Sequence, residues 1–269
     1  MAPVVDPVLV GAGDIADCAS DGDEATAALL DGIDGTVFTA GDNVYESASA
    51  KTFQECYDTT WGRHKARTRP AAGNHDWRDG GIAAYRDYFG DAAGTGEATW
   101  YAYDLGTWRV IVLDSDCEAV GGCGPDSPQG IWLASELADT TARCAVAIFH
   151  HPRFSSGDEH GNDPAMDPFW RALYTAGVDV IVNGHDHDYE RFAPQDPDGH
   201  EDRERGIREF VVGTGGRALR GFGEIRANSE LRAVVDHGVL ALTLRDGSYA
   251  WQFHAATTDF SDSGTTFCH

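Results

Sequence analysis

Five short stretches of the sequence place candidate metal ligands directly after segments that are predicted to be strands. They combine glycine with aspartate, asparagine, histidine and tyrosine, whose side chains offer oxygen and nitrogen donors. The stretches are GD at 13–14, GDNVY at 41–45, GNHD at 73–76, HH at 150–151 and GHDHDYER at 184–191. Together they offer enough donors for two metal ions, and two metal ions a few ångströms apart are a usual means of hydrolysing phosphate esters.

No single stretch establishes a metal site by itself. A glycine–aspartate pair usually marks a turn, and a lone histidine is more often a satisfied polar residue than a ligand. The pair His185 and His187 is more specific, because alternate residues of an extended segment point to the same side. The occurrence of all five stretches in one chain is what favours a dinuclear site.

The predicted elements place these stretches at comparable positions in a layered fold. Strands are predicted over 4–10, 36–39, 100–103, 109–113, 145–149, 178–182, 210–212, 239–244 and 249–254, and helices over 24–30, 53–61, 82–89, 127–137 and 168–176. Strands that alternate with helices, followed by a run of strands, indicate a mixed sheet layered with helices, which we expect to form a single domain over 1–269. Ligands then collect at the carboxyl ends of strands, where adjacent glycines permit tight turns.

The charge balance limits the partners that are expected. Asp and Glu number 44 against 20 Lys and Arg, which gives a formal net charge of −24. Such a surface repels nucleic acid and anionic lipid, so neither is an expected partner, and no apolar run approaches the roughly 20 residues that span a bilayer. Attraction for a small phosphate-ester substrate must therefore be local, at the metal ions. The oligomeric state is not predicted.

Six cysteines without a CxxC pair indicate disulfides. Cys117 and Cys123 flank a glycine-rich loop, and Cys268 lies on a polar tail that would fray unless tied down. Six cysteines allow 15 pairings; we favour Cys18–Cys56, Cys117–Cys123 and Cys144–Cys268, with six buried thiols as the alternative. Disulfides form in oxidising compartments, so the protein is expected to be secreted or periplasmic, its signal peptide absent from this sequence.

In their order and content, the five motifs resemble those of the calcineurin-like metallophosphoesterases, and more narrowly those of the purple acid phosphatase branch. The chain is most similar to small single-domain bacterial exported members, and the resemblance runs from Gly13 to Arg191. It implies an α/β fold, a four-layer αββα sandwich of two mixed sheets flanked by helices. It implies one metal ion bound by Asp14, Asp42, Tyr45 and His187, and a second bound by Asp42, Asn74, His150 and His185, with Asp42 bridging.

One substitution separates the branches of this family, and at that position the chain resembles the purple acid phosphatase branch. Most metallophosphoesterases carry Asp-x-His in the first motif, whereas this chain has Asp14, Ile15 and Ala16, with no donor at the histidine position. Tyr45 can supply the missing ligand, the alternative being that it only packs. Because a phenolate is a hard oxygen anion that favours a trivalent ion, Fe(III) is expected in the Tyr45 site. Fe(II), Zn or Mn is expected in the second site.

The implied reaction is in-line attack of a metal-bound hydroxide on phosphorus, and its leaving group needs a proton. His75 and His160 are the candidate donors. His75 follows the ligand Asn74, and Asp76 could orient it. His160 lies in a polar loop where purple acid phosphatases carry substrate-facing histidines.

Further candidates for substrate binding are His151, Arg153 and Arg217. His151 is adjacent to a ligand and could point towards the site or away from it. Arg153, Arg217 and also Arg191 could clamp phosphate, with structural ion pairing as the alternative for each.

The function that these features favour is hydrolysis of phosphate monoesters by a secreted dinuclear enzyme. A phosphodiesterase or nucleotidase using the same dimetal site is the nearest alternative. A non-catalytic phosphate-binding domain is a more remote alternative, and such a domain should have lost ligands or proton donors.

Overall fold

The computed structural model describes residues 6–269, which form thirteen strands and six α-helices. The strands are β1 (Val8–Ala12), β2 (Thr36–Ala40), β3 (Thr68–Ala71), β4 (Tyr101–Leu105), β5 (Trp108–Val112), β6 (Cys144–Ile148), β7 (Val180–Asn183), β8 (Tyr189–Phe192), β9 (Arg208–Val212), β10 (Ser229–Ala233), β11 (Gly238–Arg245), β12 (Ser248–Ala255) and β13 (Ser261–Phe267). The helices are α1 (Gly22–Asp31), α2 (Ala50–Thr52), α3 (Asn74–Trp77), α4 (Ile82–Phe89), α5 (Pro128–Asp139) and α6 (Asp167–Thr175).

The strands form two mixed sheets. Sheet one has six strands in the order β13-β12-β11-β1-β2-β3, and sheet two has seven in the order β10-β8-β9-β7-β6-β5-β4. In sheet one β1, β2 and β3 are parallel neighbours, as are β5, β6, β7 and β9 in sheet two. The carboxyl ends of parallel neighbours lie at one edge of a sheet, so the loops that follow these strands are brought together.

The core separates into the layers that the predicted sandwich requires. Val146 and Ile148 of β6 belong to the cluster between the two sheets, whereas Ala145 and Ala147 of the same strand pack with the α5 and α6 side. Because β6 is buried on both faces, its sequence is a continuous apolar run rather than an alternating one. The predicted four-layer αββα sandwich of two mixed sheets flanked by helices is confirmed.

Several helices begin and end close to where the sequence predicts. Helix α4 spans the predicted 82–89, and α5 begins at Pro128 with Ser127 as its cap, whose Oγ accepts a hydrogen bond of 3.0 Å from the Gly130 amide. Among residues 6–269, no helix combines the length and the apolar character needed to cross a membrane.

The predicted helix over 53–61 is wrong as a single α-helix. The chain instead makes one turn in α2, a π-helical turn over Phe53–Tyr57 and a 3₁₀ helix over Trp61–Arg67. The physical reason is burial on several sides: Phe53, Tyr57 and Trp61 are all nearly fully buried. Cys56 is also bonded to Cys18 within this stretch, so packing and the cross-link override helix propensity.

The polar tail also differs from the expectation. It forms the edge strand β13, paired along its length with β12, and so it is held by strand pairing as well as by a disulfide. Strands β8 and β10 were likewise not predicted. The first predicted strand begins at residue 4, and its first two residues lie outside the described part of the chain.

The three favoured disulfides are those the structure contains. The Cα atoms are 5.1 Å apart in Cys18–Cys56, 5.1 Å in Cys117–Cys123 and 5.7 Å in Cys144–Cys268, distances that suit a disulfide. Cys144–Cys268 fastens the end of the chain, after the edge strand of sheet one, to the start of β6 in sheet two. All six cysteines are used.

The disulfide Cys144–Cys268 joins residues with a sequence separation of 124 and so closes a long loop in the unfolded chain. Replacing both cysteines by serine is therefore expected to reduce the free energy of unfolding by about 4–5 kcal/mol. The matched control is the Cys117/Cys123 double serine variant, whose loop has a separation of 6 and an expected loss of about 2–3 kcal/mol. Chemical unfolding of both variants measures the difference. Equal losses would contradict this loop-length interpretation.

Glu209 in β9 is a second feature with a measurable consequence. Its side chain is fully buried, Oε1 accepts a long hydrogen bond of 3.3 Å from the Phe154 amide, and Oε2 has no partner among the described residues. Burial raises the pKa of this carboxyl well above its ordinary value, although Arg153 lies nearby. The folded state therefore keeps a proton that the unfolded chain releases.

Glu209→Gln is expected to stabilise the protein at neutral pH and to have little effect below about pH 4. Above the ordinary pKa of glutamate, the folded wild type binds more protons than the unfolded chain, so its free energy of unfolding falls as pH rises. Glutamine does not titrate, so the variant lacks this pH-dependent loss of stability. The gain at pH 7 should be on the order of 1–3 kcal/mol. Urea unfolding at several pH values, with exposed Glu204→Gln as control, tests this; a gain that does not vary with pH would refute it.

Candidate metal centre

The candidate ligands follow the carboxyl ends of five strands. Asp14 follows β1, Asp42 and Tyr45 follow β2, Asn74 follows β3, His150 follows β6, and His185 and His187 follow β7. Within each sheet, backbone hydrogen bonds hold neighbouring segments of the site against each other. For example, the Asp14 amide donates to Gly41 O at 3.0 Å, and the Gly184 amide donates to His150 O at 3.0 Å.

Four donor atoms form a first group around the Tyr45 hydroxyl. That oxygen lies 2.7 Å from Asp14 Oδ1 and 2.9 Å from Asp42 Oδ2. His187 Nε2 lies 3.4 Å from the Tyr45 hydroxyl and 3.3 Å from Asp14 Oδ1. These are the four residues predicted to hold the first metal ion.

A second group is built around His150. Its Nε2 lies 3.1 Å from Asn74 Oδ1 and 3.2 Å from His185 Nδ1. It also lies 3.3 Å from Asp42 Oδ2, the same oxygen that approaches Tyr45 in the first group. Asp42 therefore lies between the two groups, in the position expected of a bridging ligand.

Hydrogen bonds outside the two groups orient their members. His150 Nδ1 lies 2.8 Å from Ala40 O and His187 Nδ1 lies 2.9 Å from Ala218 O, which turns Nε2 of each ring towards the other donors. The Asp42 carboxylate is fixed through its other oxygen, Oδ1, which accepts a 2.8 Å hydrogen bond from the amide of His75. Both rings and the shared carboxylate are thus held before any ion binds.

Three of the candidate ligands have strained backbones. Asp14, Asp42 and His185 have φ angles of 60°, 51° and 72°, in the left-handed region that residues other than glycine rarely adopt. Strain of this kind persists only where the surroundings enforce it, and it concentrates at functional sites. Close backbone approach adds to the constraint, since a Cβ at Gly73 would lie 2.3 Å from Asp42 Oδ1.

The buried charges of the two groups compensate each other. Burial disfavours the charged form of His150, but Asp42 outweighs it and raises the pKa of His150 to about 10. Burial likewise disfavours charge on Asp42, yet His150 and His75 hold the pKa of its carboxyl below the ordinary range. A proton on His150 therefore occupies the place of a cation, and metal binding is expected to release it.

The surroundings of Tyr45 suit a strongly polarising cation. Its ring is buried, and burial together with Asp14 and Asp42 raises the pKa of the phenol well above its ordinary value. The hydroxyl therefore keeps its proton at ordinary pH, and a bound metal ion would replace that proton. His185 differs, because burial and then the neighbouring imidazoles lower its pKa well below the ordinary value, so the ring of this candidate ligand is neutral. The donor set fits two metal ions.

Comparison with known proteins bears directly on this arrangement. The family model for calcineurin-like phosphoesterases matches residues 8–189, which contain all seven candidate ligands. The chain belongs to the calcineurin-like phosphoesterase family. Members of this family typically bind two metal ions. In this chain, Asp14, Asp42 and His150 each offer one ligand atom, and these three atoms lie within 4.8 Å of one another.

Individual relatives point to the purple acid phosphatase-like kind of metallophosphoesterase. An uncharacterized protein of Mycobacterium tuberculosis strain H37Rv is 32% identical over 168 residues, covering 54% of this chain and 31% of that protein. Purple acid phosphatase 1 of Ipomoea batatas is 29% identical over 154 residues, covering 49% of this chain and 32% of that protein. The matched part of this chain thus spans about a third of the length of these curated relatives.

A solved structure shares the fold. Purple acid phosphatase PPD1 from yellow lupin (Lupinus luteus) seeds superposes with a TM-score of 0.72 at 20% identity, over 96% of this chain and 53% of that one. At this identity the likeness concerns the fold alone. It agrees with the two mixed sheets and flanking helices of this chain.

The predicted proton donors lie at the edge of the ligand groups. The ring of His75 packs against Tyr45 with centroids 4.5 Å apart, and its Nε2 lies 3.9 Å from Asp42 Oδ2. His160 is exposed and stacks on His185, with ring centroids 3.9 Å apart and planes at 26°. Each histidine therefore touches a candidate ligand of one group.

Asp76 does not orient His75, contrary to the prediction. His75 Nδ1 lies 2.5 Å from Glu46 O instead. Asp76 is the third residue of α3, so its carboxylate turns back to accept hydrogen bonds from the amides of Gly73 and Asn43. Burial and then Asp42 raise the pKa of Asp76 to about 7. The Asp76 side chain therefore connects the segments that follow β2 and β3, and it does not hold the His75 ring.

His151 points into the ligand cluster. Its ring centroid lies 4.3 Å from that of His185, and Ser115 Oγ lies 2.7 Å from its Nδ1. Burial and then His150 lower the pKa of His151 to about 3, so the ring is neutral. Ser115, which follows β5 and holds this histidine, was not predicted from the sequence.

The arginines proposed as phosphate clamps have other partners. Arg153 lies 3.7 Å from Asp167 and over the Phe154 ring. Arg191 binds Asp262 and Glu230, away from the ligand groups, because it belongs to β8 next to β10. Both Arg153 and Arg191 therefore form structural ion pairs, which was the alternative to binding phosphate.

Arg217 lies over the Tyr45 ring, 4.7 Å from its centroid, but it pairs with Asp17 at 2.5 Å and with Glu46. Arg220, which was not predicted from the sequence, contacts His160, the histidine that stacks on His185 of the second group. Its Nη1 is 2.8 Å from Nε2 of His160. The only signal in the sequence is its place three residues after Arg217 in a glycine-rich loop.

Proposed function

We propose that this chain hydrolyses phosphate monoesters with two metal ions held by the two donor groups. The observation that carries the proposal is the shared oxygen of Asp42, which approaches Tyr45 of the first group and His150 of the second. When bound, the metal ions supply positive charge for the phosphate oxygens and activate water. Single-domain organisation over 1–269 and export, supported by the three disulfides, belong to the same proposal.

The metal identities follow from the donor chemistry. The first group has the Tyr45 phenol, two carboxylates and His187, a hard and anionic set that favours Fe(III). The second group has two imidazoles, the amide oxygen of Asn74 and the shared carboxylate, which suits Fe(II), Zn or Mn. Asp14, Asp42, Tyr45 and His187 would thus hold one ion, and Asp42, Asn74, His150 and His185 the other.

The surrounding histidines would act on the substrate. His75 has its Nδ1 bound to Glu46 O, which leaves Nε2 on the side of Asp42 to donate a proton. His160 stacks on His185 at the edge of the second group, within reach of a leaving oxygen. His151, held by Ser115, is neutral and presents its other ring nitrogen to the cluster.

Protein grown with ample iron and zinc is expected to contain about two metal ions per chain, with an absorption band in the visible range from tyrosinate-to-iron charge transfer. Tyr45→Phe should lose the band. Tyr249→Phe, which changes another buried tyrosine on β12, should keep it. Elemental analysis and absorption spectra measure both. Iron-free protein without a band would overturn the assignment of Fe(III) to Tyr45, and would leave the fold untouched.

Substrate preference separates the proposed function from its alternatives. Metal-loaded protein is expected to hydrolyse nitrophenyl phosphate and alkyl phosphates faster than bis(nitrophenyl) phosphate. A preference for the bis-ester or for nucleotides would favour the phosphodiesterase or nucleotidase alternative. Binding of inorganic phosphate with no turnover of any ester would favour a non-catalytic domain.

A further inference from the structure

We propose that Arg220 binds the phosphoryl group of the substrate and favours monoesters over diesters. This inference rests on the proposed phosphoesterase function and adds a specificity-determining residue to it. Arg220 lies in the loop between β9 and β10, whose backbone runs along the ligand groups: the amide of Arg217 donates to Asp14 O at 2.9 Å, and Ala218 O lies 2.9 Å from His187 Nδ1.

Arg220 is held by His187 of the last motif and by His160. Its amide donates a hydrogen bond of 2.9 Å to His187 O. Its guanidinium Nη1 lies 2.8 Å from Nε2 of His160, the ring that stacks on His185. The guanidinium therefore lies at the edge of the His160 ring, whose face packs on a candidate metal ligand of the second group.

The charge of Arg220 is less neutralised than that of Arg217. Arg217 has two carboxylate partners, Asp17 at 2.5 Å and Glu46. Arg220 has one, since its Nε lies 3.1 Å from the Glu159 carboxylate while Nη1 faces the imidazole of His160. Among residues 6–269, no acceptor takes its Nη2. Glu159 is 56% exposed, so solvent also weakens that single ion pair.

The guanidinium of Arg220 provides local positive charge in a protein whose net charge is strongly negative. A protein of net charge −24 repels anions at a distance, so recognition of phosphate needs local cations. A guanidinium can donate two parallel hydrogen bonds to phosphate oxygens. A monoester carries three unsubstituted phosphoryl oxygens and up to two negative charges, whereas a diester has two such oxygens and one charge. Arg220 should therefore contribute more to the binding of a monoester.

The test compares two esters in variants of the metal-loaded protein. Arg220→Ala is expected to lower kcat/KM for an alkyl monoester by roughly 10–100-fold, the effect of losing a charge-assisted pair of hydrogen bonds, and to weaken inhibition by inorganic phosphate similarly. The bis-ester should lose less than about 5-fold. Arg220→Lys should lie between alanine and wild type on the monoester, because it restores the charge without the planar pair of donors.

Two further variants make the result specific. Arg203→Ala removes an exposed positive charge that pairs with Glu201 and should leave both esters unchanged. Glu159→Gln removes the competing carboxylate and should tighten phosphate inhibition by about 2–5-fold, as for an exposed ion pair. Metal content and melting temperature of each variant establish that the fold and both sites persist.

Equal losses on both esters in Arg220→Ala would overturn the inference, since Arg220 would then act only by positioning His160. Unchanged kinetics on both esters would overturn it as well. Absence of monoester hydrolysis in the wild type would instead overturn the proposed function, so the two failures are distinguishable.

Discussion

Replacing Asp42 by alanine is expected to remove both metal ions and essentially all hydrolysis, because its Oδ2 approaches Tyr45 at 2.9 Å and His150 at 3.3 Å. Loss of a ligand shared by two sites should exceed the roughly 10–100-fold effect of changing a residue that only supports a ligand. Elemental analysis after dialysis and initial rates with nitrophenyl phosphate measure the two quantities on the same sample.

Variants of the unshared ligands are the matched comparison. His187→Ala should chiefly deplete the iron of the Tyr45 site and its visible band, whereas His185→Ala should chiefly deplete the second ion. Retention of one full equivalent of metal in Asp42→Ala would show that Asp42 does not bridge. Exposed Asp58→Ala, which removes a carboxylate bound to Tyr88, should keep both metals.

The second large effect concerns proton donation to the leaving group. His75→Ala and His160→Ala are expected to keep both metals and to slow hydrolysis of an alkyl phosphate by roughly 10²–10⁴-fold, the range for loss of a general acid. The loss should be smaller on nitrophenyl phosphate, whose leaving oxygen scarcely needs a proton. Rates on the two substrates, measured beside metal content, separate this role from metal binding.

The control for these variants is His200→Ala, an exposed histidine paired with Asp196 in a distant loop, which should behave as wild type on both substrates. If His75→Ala and His160→Ala both keep near-normal rates on the alkyl phosphate, proton donation lies elsewhere. His151, which faces the cluster beside His185, would then be the residue to change.

The sequence predicted those parts of the site that obey a positional rule. The ligands were found because each follows a strand and most have a neighbouring glycine, and the parallel order of β1, β2 and β3 then brings them together. Arg220 and Ser115 obey no such rule. Arg220 lies in a long loop, and its proximity to His160 depends on how that loop folds back across the sheet ends.

Two predictions that the structure contradicts share a physical cause. Asp76 was assigned to His75 by closeness in sequence, but the turn of α3 directs its carboxylate to Gly73 and Asn43. The stretch over 53–61 has helical periodicity, yet three buried aromatic residues and a disulfide determine its backbone. In both cases contacts between distant parts of the chain outweigh the local pattern.

The two donor groups each take residues from both sheets. Sheet one supplies the aspartates, the tyrosine and the asparagine, and sheet two supplies all three histidines. A chain whose sheets have formed but not yet docked would hold two half-sites, neither able to enclose an ion. Metal capture would therefore come last in assembly, and each captured ion would clamp one sheet to the other. In such a protein, binding of both metal ions would indicate that the two sheets have docked and that folding is complete.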